Sequence, residues 1–204
     1  MSNLTEFLGF HACRTPDRTA IAYKDKEITY AELMLRAIAG SNWLAERGIS
    51  RGDVVAVLMK NSAAFFDLVF AVSHLGAVLL PINYRLAPSE ISYILGDSGA
   101  RLLIADQEFE DVTTLLDQEI IEDVFLLNSS AQEDIRFVAI NSGSHFPVLR
   151  QSSDLMRLVY TSGTTSRPKG VMHAYDQFYW KHLSLIPPLE LSHKTRLLIV
   201  GPLY

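Results

Sequence analysis

The chain has 204 residues, of which 49% are hydrophobic, enough to bury a sizeable core in one large domain or one and a half. A formal charge of −5 and the lack of any Lys/Arg-rich run exclude nucleic-acid binding as its main role. Cys13 is the single cysteine, which rules out an intrachain disulfide or a multi-cysteine zinc site, and the thiol is given no role.

The first residues, Met1-Ser2-Asn3-Leu4-Thr5-Glu6, place no basic stretch before an apolar one and so do not read as a signal peptide. Leu4, Phe7, Leu8 and His11 fall at helical spacing, and Arg14-Thr15-Pro16-Asp17 stops that helix. Residues 19–23 read as a short strand, with Lys24-Asp25-Lys26 as the turn into Ile28. Thr29 and Glu32 are spaced as a capping box, opening a helix that carries Leu33, Ala37, Trp43 and Leu44 inward and ends at Gly48. Val54-Val55-Ala56-Val57-Leu58 is a continuous apolar run, as expected of a strand buried on both faces. Asn61-Ser62 can cap a helix through Leu75, closed by Gly76, and residues 77–82 form a second buried strand.

The most apolar stretch, residues 65–82, contains Asp67, Ser73, His74 and Pro81, so it reads as helix then strand rather than as a membrane span. A soluble, cytoplasmic protein is expected. Pro88 fits the first turn of the next helix, which Gly96-Asp97-Ser98-Gly99 breaks before a third strand at residues 101–105. Leu115-Leu116 suggests a short helix, and residues 124–127 a fourth strand. Strand and helix in this alternation imply parallel pairing with right-handed crossovers: an α/β fold with a doubly wound, mostly parallel sheet. The rhythm lapses over residues 128–153, around one candidate strand at 137–140, which suggests a connection between two subdomains, 1–150 and 151–204. Residues 155–160 are again strand-like, residues 175–185 helical, Pro187-Pro188 ends that helix, and residues 197–200 begin another buried strand. An unfinished sheet edge beyond Val200 would be prone to pairing, which leaves a homodimer open.

Between the strand-like residues 155–160 and Val171 lies Thr161-Ser162-Gly163-Thr164-Thr165-Ser166-Arg167-Pro168-Lys169-Gly170. Hydroxyls, glycines that bare the backbone amides and one lysine are the groups a polyphosphate needs. It is not a Walker A loop, because Pro168 stands where a glycine must precede the lysine. The plain reading is a Ser/Thr/Gly-rich surface turn. Neither GxGxxG (Met59-Lys60-Asn61-Ser62 follows the first sheet strand) nor GxSxG occurs, which sets aside a dinucleotide-binding oxidoreductase and a serine hydrolase. The six histidines show no metal-ligand spacing, and no metal-ligating or catalytic set emerges.

The order TSGTT-x-x-PKG resembles the phosphate-binding signature of the adenylate-forming enzymes, which comprise acyl-CoA synthetases, luciferases and peptide-synthetase adenylation domains. Ile28-Thr29-Tyr30-Ala31-Glu32-Leu33, residues 75–83 and Thr15-Pro16-Asp17-Arg18-Thr19-Ala20-Ile21 resemble earlier blocks of that family, in order along nearly the whole chain. Pro81-Ile82-Asn83-Tyr84-Arg85 and residues 93–100 look most like fatty-acyl-CoA ligases. Taken alone, residues 28–33 are a helix start and residues 76–81 a helix-to-strand turn, both serving the core.

The resemblance implies a ligase that uses ATP, Mg²⁺ and CoA. A carboxylic acid attacks the α-phosphate of ATP, and a thiol then displaces AMP. It assigns phosphate contacts to Thr161, Ser162, Gly163, Thr164, Thr165 and Ser166, a mobile cation to Lys169 and a hinge to Gly170. Within the family's frame, residues 1–150 are the first subdomain of the large N-terminal domain. Residues 151–204 start the second subdomain, and the C-terminal domain lies outside this sequence. Two positions depart from the family. Ser166 replaces a glycine, at a cost of about 1 kcal/mol if φ is positive, and Ala174-Tyr175 replaces Thr-His, with His173 structural instead. The chain reaches Gly201-Pro202-Leu203-Tyr204, short of the family's aromatic-histidine segment and later nucleotide blocks. This stretch alone is therefore expected to be inactive. An adenylation domain loading a carrier protein and a catalytically silent structural module are the alternatives.

Overall fold

In the computed structural model, residues 3–121, 123–128, 147–149, 151–161 and 167–204 are described. In chain order the elements are α1 (Leu4–Arg14), β1 (Thr19–Tyr23), β2 (Lys26–Thr29), α2 (Tyr30–Glu46), β3 (Val54–Leu58), α3 (Ala63–Leu75), β4 (Val78–Pro81) and α4 (Pro88–Ser98). They continue with β5 (Ala100–Asp106), a 3-10 turn (Gln107–Phe109), α5 (Glu110–Thr114), β6 (Val124–Leu127), β7 (Leu155–Thr161), β8 (Lys169–Ala174) and α6 (Tyr175–Leu185).

β1 and β2 form an antiparallel ribbon, and the other strands make one sheet in the order β6-β5-β3-β4-β7-β8. All neighbours in that sheet are parallel except β7 and β8. β7 pairs with β4 through Leu79 and Arg157, so the sheet runs on across residue 150. The side-chain alternation of a strand builds two cores. Val55 and Val57 face Trp43, Leu44, Phe65 and Leu68 of α2 and α3, whereas Ala56 and Leu58 face Ile91, Ile94 and Leu95 of α4. That is the doubly wound arrangement. Each fully buried leucine, such as Leu68 or Leu103, contributes about 2 kcal/mol.

The helix boundaries follow their caps. Thr29 Oγ1 accepts from Glu32 N at 3.2 Å while the Glu32 carboxylate accepts from Thr29 N at 2.8 Å. Ser62 caps α3 by accepting from Phe65 N at 3.3 Å, and Gly76 closes it at φ +82°, a conformation that glycine adopts without cost. Where α1 meets α3 and α6, a buried polar cluster replaces apolar packing. Asn3 caps α1, its amide donates to Ser73 O, and Ser73 Oγ donates to Asn3 Oδ1 at 2.6 Å and lies 2.9 Å from Tyr175 Oη. Ser73→Ala is expected to cost about 1–2 kcal/mol in urea unfolding, since it removes a buried hydroxyl bridging two helices.

Four expectations need correction. Gly96 and Asp97 continue α4, and only Gly99, at φ +62°, ends it, because an isolated helical glycine costs less than the packing of Ile94 and Leu95 returns. The short helix α5 stops before Leu115, which is exposed. The third and fourth sheet strands stand as expected, but the buried strand at 197–200 does not form. Leu198 and Val200 are each 87% exposed, with no neighbouring strand in the described residues to cover them. An edge for pairing there is accordingly lacking. The candidate strand at 137–140 lies outside the described residues. Among the described residues no helix is long and apolar enough to cross a membrane.

Candidate functional site

Because β3, β4, β5 and β7 are parallel, their carboxyl ends and the loops that leave them share one edge of the sheet. The phosphate-loop candidate leaves the carboxyl end of β7. Thr161 is the last residue of β7 and Lys169 the first of β8, and the two are direct partners across the antiparallel ladder. Such partners stand about 5 Å apart, so the ladder closes the loop at its mouth and sets Thr161 beside Lys169. Both residues are exposed, and among the described residues Lys169 has no ion-pair partner. Ser162, Gly163, Thr164, Thr165 and Ser166 lie outside the described residues.

Gly170 faces Tyr160 in the same ladder. A β-carbon there would lie 3.0 Å from Tyr160 Cζ, so a strand position against an aromatic ring favours glycine. Tyr160 Oη donates to Asp97 Oδ2 at 2.6 Å. Its burial and then this carboxylate hold the phenol well above its ordinary pKa. Arg167 lies over the Tyr93 ring at 5.3 Å. Further along, Arg157 Nε donates to His173 Nδ1 at 3.0 Å. Burial, then the charges of Arg157 and Lys181, lower the His173 pKa and keep it neutral, and burial lowers that of Arg157. His173 is thus bound to a neighbouring strand, as a structural residue would be.

A second feature of the same edge lies between the carboxyl ends of β3 and β5, where the chain's crossovers diverge to opposite faces. The cavity, of about 570 Å³, is lined by Lys60, Asn61, Ser62, Asp106 and Glu108 among others. Lys60 is ion-paired to Glu108. Thr161, Lys169 and Gly170, the expected site residues among those described, do not line it. Sequence reasoning gave Asn61 to the α3 cap, but its carboxamide clamps a distant segment. Nδ2 donates to Gly201 O at 2.7 Å, and Oδ1 accepts from Leu203 N at 3.0 Å. Next to this clamp the Arg85 guanidinium donates to Tyr204 Oη, whose ring meets Tyr84 edge-on at 5.4 Å.

The structure therefore brings together Thr161, Lys169 and Gly170 and adds Tyr160, Asp97, Tyr93 and Arg167, which the sequence reading left without roles. One signal was available. Asp97 sits in the last turn of α4, where a carboxylate opposes the helix dipole unless it has partners. A hydroxyl, an ammonium and a guanidinium around one loop fit a polyphosphate. Among the described residues no group of three His, Cys, Asp or Glu side chains is arranged to hold a metal ion.

Residues 10–204 match the family model described as AMP-binding enzyme. The chain is 32% identical over 211 residues to 2-succinylbenzoate–CoA ligase of Geobacillus kaustophilus, covering all of this chain and 39% of that protein. It is also 32% identical to long-chain-fatty-acid–CoA ligase FadD13 of Mycobacterium tuberculosis, covering 88% of this chain and 36% of the relative. Among solved structures, o-succinylbenzoate CoA synthetase of Bacillus subtilis in complex with its acyl-adenylate intermediate superposes with a TM-score of 0.84. There the identity is 29%, over 99% of this chain and 50% of that one. The chain thus spans about two-fifths of the length of the curated relatives it matches.

Proposed function

Because the chain belongs to the AMP-binding enzyme family, we propose that it is the phosphate-binding portion of an AMP-forming acid–thiol ligase. The observation that carries this reading is the loop closed by the Thr161–Lys169 pair at the carboxyl edge of the sheet. In the proposed reaction a carboxylate oxygen bonds to the α-phosphorus of ATP as the bond to pyrophosphate breaks. The sulfur of CoA then bonds to the acyl carbon, AMP leaves, and the thiol proton is released. The first step concentrates charge on departing pyrophosphate. The chain's own contribution is a set of donors for that charge: the Thr161 hydroxyl and the Lys169 ammonium at the loop's stems, with residues 162–166 assigned by their order in the sequence. Mg²⁺ would be held chiefly through the phosphates.

The acid is a carboxylic acid, with a fatty acid the first candidate on the resemblance of residues 81–85 and 93–100. Relatives named for 2-succinylbenzoate and for long-chain fatty acids match equally well, at 32% identity, so a small aromatic acid is the second. Acid-dependent exchange of labelled pyrophosphate into ATP tests the reading in an enzyme that contains this chain, across a panel of both acid types. Lys169→Ala is expected to lower the exchange rate about 100-fold or more, the usual cost of removing a donor from developing charge. The 204 residues alone are expected to give no exchange, and robust turnover by them would refute that expectation.

A further inference from the structure

We propose that Asp97 and Tyr160 act as a positioning pair, fixing both stems of the phosphate loop against the end of α4 and so setting where Lys169 begins. The proposal rests on the reading of residues 161–170 as the phosphate loop.

Asp97 is the second-to-last residue of α4. Its two carboxylate oxygens receive two different tyrosines. Tyr93 Oη donates to Oδ1 at 3.4 Å, and Tyr160 Oη donates to Oδ2 at 2.6 Å. The second is a short bond to a charged acceptor, the stronger kind. It also supplies the partner that an acid in the last helical turn otherwise lacks. The raised pKa of the Tyr160 phenol, due first to burial and then to this bond, keeps it a donor throughout the neutral range.

Tyr160 passes this constraint across the ladder. Its ring lies where a Gly170 side chain would be, with Cζ at 3.0 Å, Oη at 3.2 Å and Cε2 at 3.3 Å from the position of a β-carbon. Gly170 is not among the glycines at positive φ, so the demand is for space alone. Arg167, over the ring of Tyr93, ties the returning stem to the same helix a second time. α4 therefore holds Tyr160 before the loop and Arg167 after it, and the Tyr160 ring in turn lies against Gly170. Lys169 lies between Arg167 and Gly170. Stems held in this way do not have to be brought together when phosphate binds, which is the benefit of preorganisation.

The test compares the chain with Asp97→Asn, Tyr160→Phe, the double variant and Gly170→Ala. Two quantities are measured: hydrogen exchange of the protected amides among residues 160–161 and 169–170, and calorimetric affinity for Mg·ATP. Each single variant is expected to speed exchange at those amides about ten-fold, leaving Val55 and Leu103 in β3 and β5 unchanged. Each is also expected to weaken Mg·ATP about ten-fold. The double variant should be no worse than either single one, because the two side chains act as a unit. Unchanged exchange at the loop stems would overturn the proposal. So would losses that add in the double variant, or exchange that rises equally in β3 and β5. If the wild type does not bind Mg·ATP, the phosphate reading of this stretch falls, while the exchange data still decide whether the pair holds the stems.

Discussion

At pH 8, Asp67→Asn is expected to stabilise the chain by about 3 kcal/mol, an advantage that fades as the pH is lowered toward 4. Asp67 lies on the inner face of α3, 7% exposed, with Arg36 of α2 at 3.4 Å as its one ionic partner among the described residues. Its Oδ1 is buried without a hydrogen-bond partner among the described residues. Burial pushes the carboxyl up to about 6 from an ordinary 3.8, and Arg36 offsets only part of that. Folding therefore retains a proton that the unfolded chain has released. The resulting stability is fully present below pH 3.8 and is lost as pH rises through about 6. At 1.36 kcal/mol per pH unit the difference comes to about 3 kcal/mol. The substituted carboxamide stays neutral throughout and keeps the shape of the carboxyl. Urea unfolding of both proteins from pH 4 to pH 8 measures the gap directly. A gap that does not change with pH would mean that the Arg36 pairing compensates the burial in full.

The second large effect is expected at Asn61, far in sequence from the residues it restrains. Its carboxamide pairs with the backbone of Gly201 and Leu203 much as a neighbouring strand would. Asn61→Ala removes both bonds, and hydrogen exchange at the Leu203 amide should rise about 30-fold, the equivalent of about 2 kcal/mol for two hydrogen bonds of ordinary net strength. Asn61→Asp keeps the acceptor for Leu203 and loses the donor to Gly201, so the rise should be smaller. The Tyr204 contacts with Arg85 and Tyr84 should loosen together with the clamp. Equal exchange in wild type and Asn61→Ala would show that the segment is held by those aromatic contacts instead.

These two residues also mark how far the sequence could be read. Elements with their own local signals were legible. The Val54–Leu58 run gave β3, and Ser62 with Gly76 bounded α3. Thr29 with Glu32 opened α2, and α6 has the expected bounds of Tyr175–Leu185. Each depends on neighbours within about four residues. The failures all depend on what lies across the fold. Residues 197–200 are as apolar as β3, yet nothing in a run of four apolar residues says whether another strand will cover it. Asn61 beside Ser62 looks like a cap, and only the return of the chain at residue 201 reveals a clamp. The phosphate reading proposed for the loop was legible in its residue order. The loop's support was not, because Asp97 and Tyr160 are 63 residues apart. The crowding at Gly170 was hidden for the same reason: the ring that a side chain would meet belongs to the opposite strand.

The central claim is that the Thr161–Lys169 loop holds a polyphosphate, and thermal unfolding with and without excess Mg·ATP tests it most directly. A ligand that binds only the folded state at about 100 times its dissociation constant adds about 2.7 kcal/mol, which is several degrees for a chain of this size. The wild type is expected to shift upward by that order, and Lys169→Ala to lose most of the shift. No shift in either protein, or an equal shift in both, would contradict the claim.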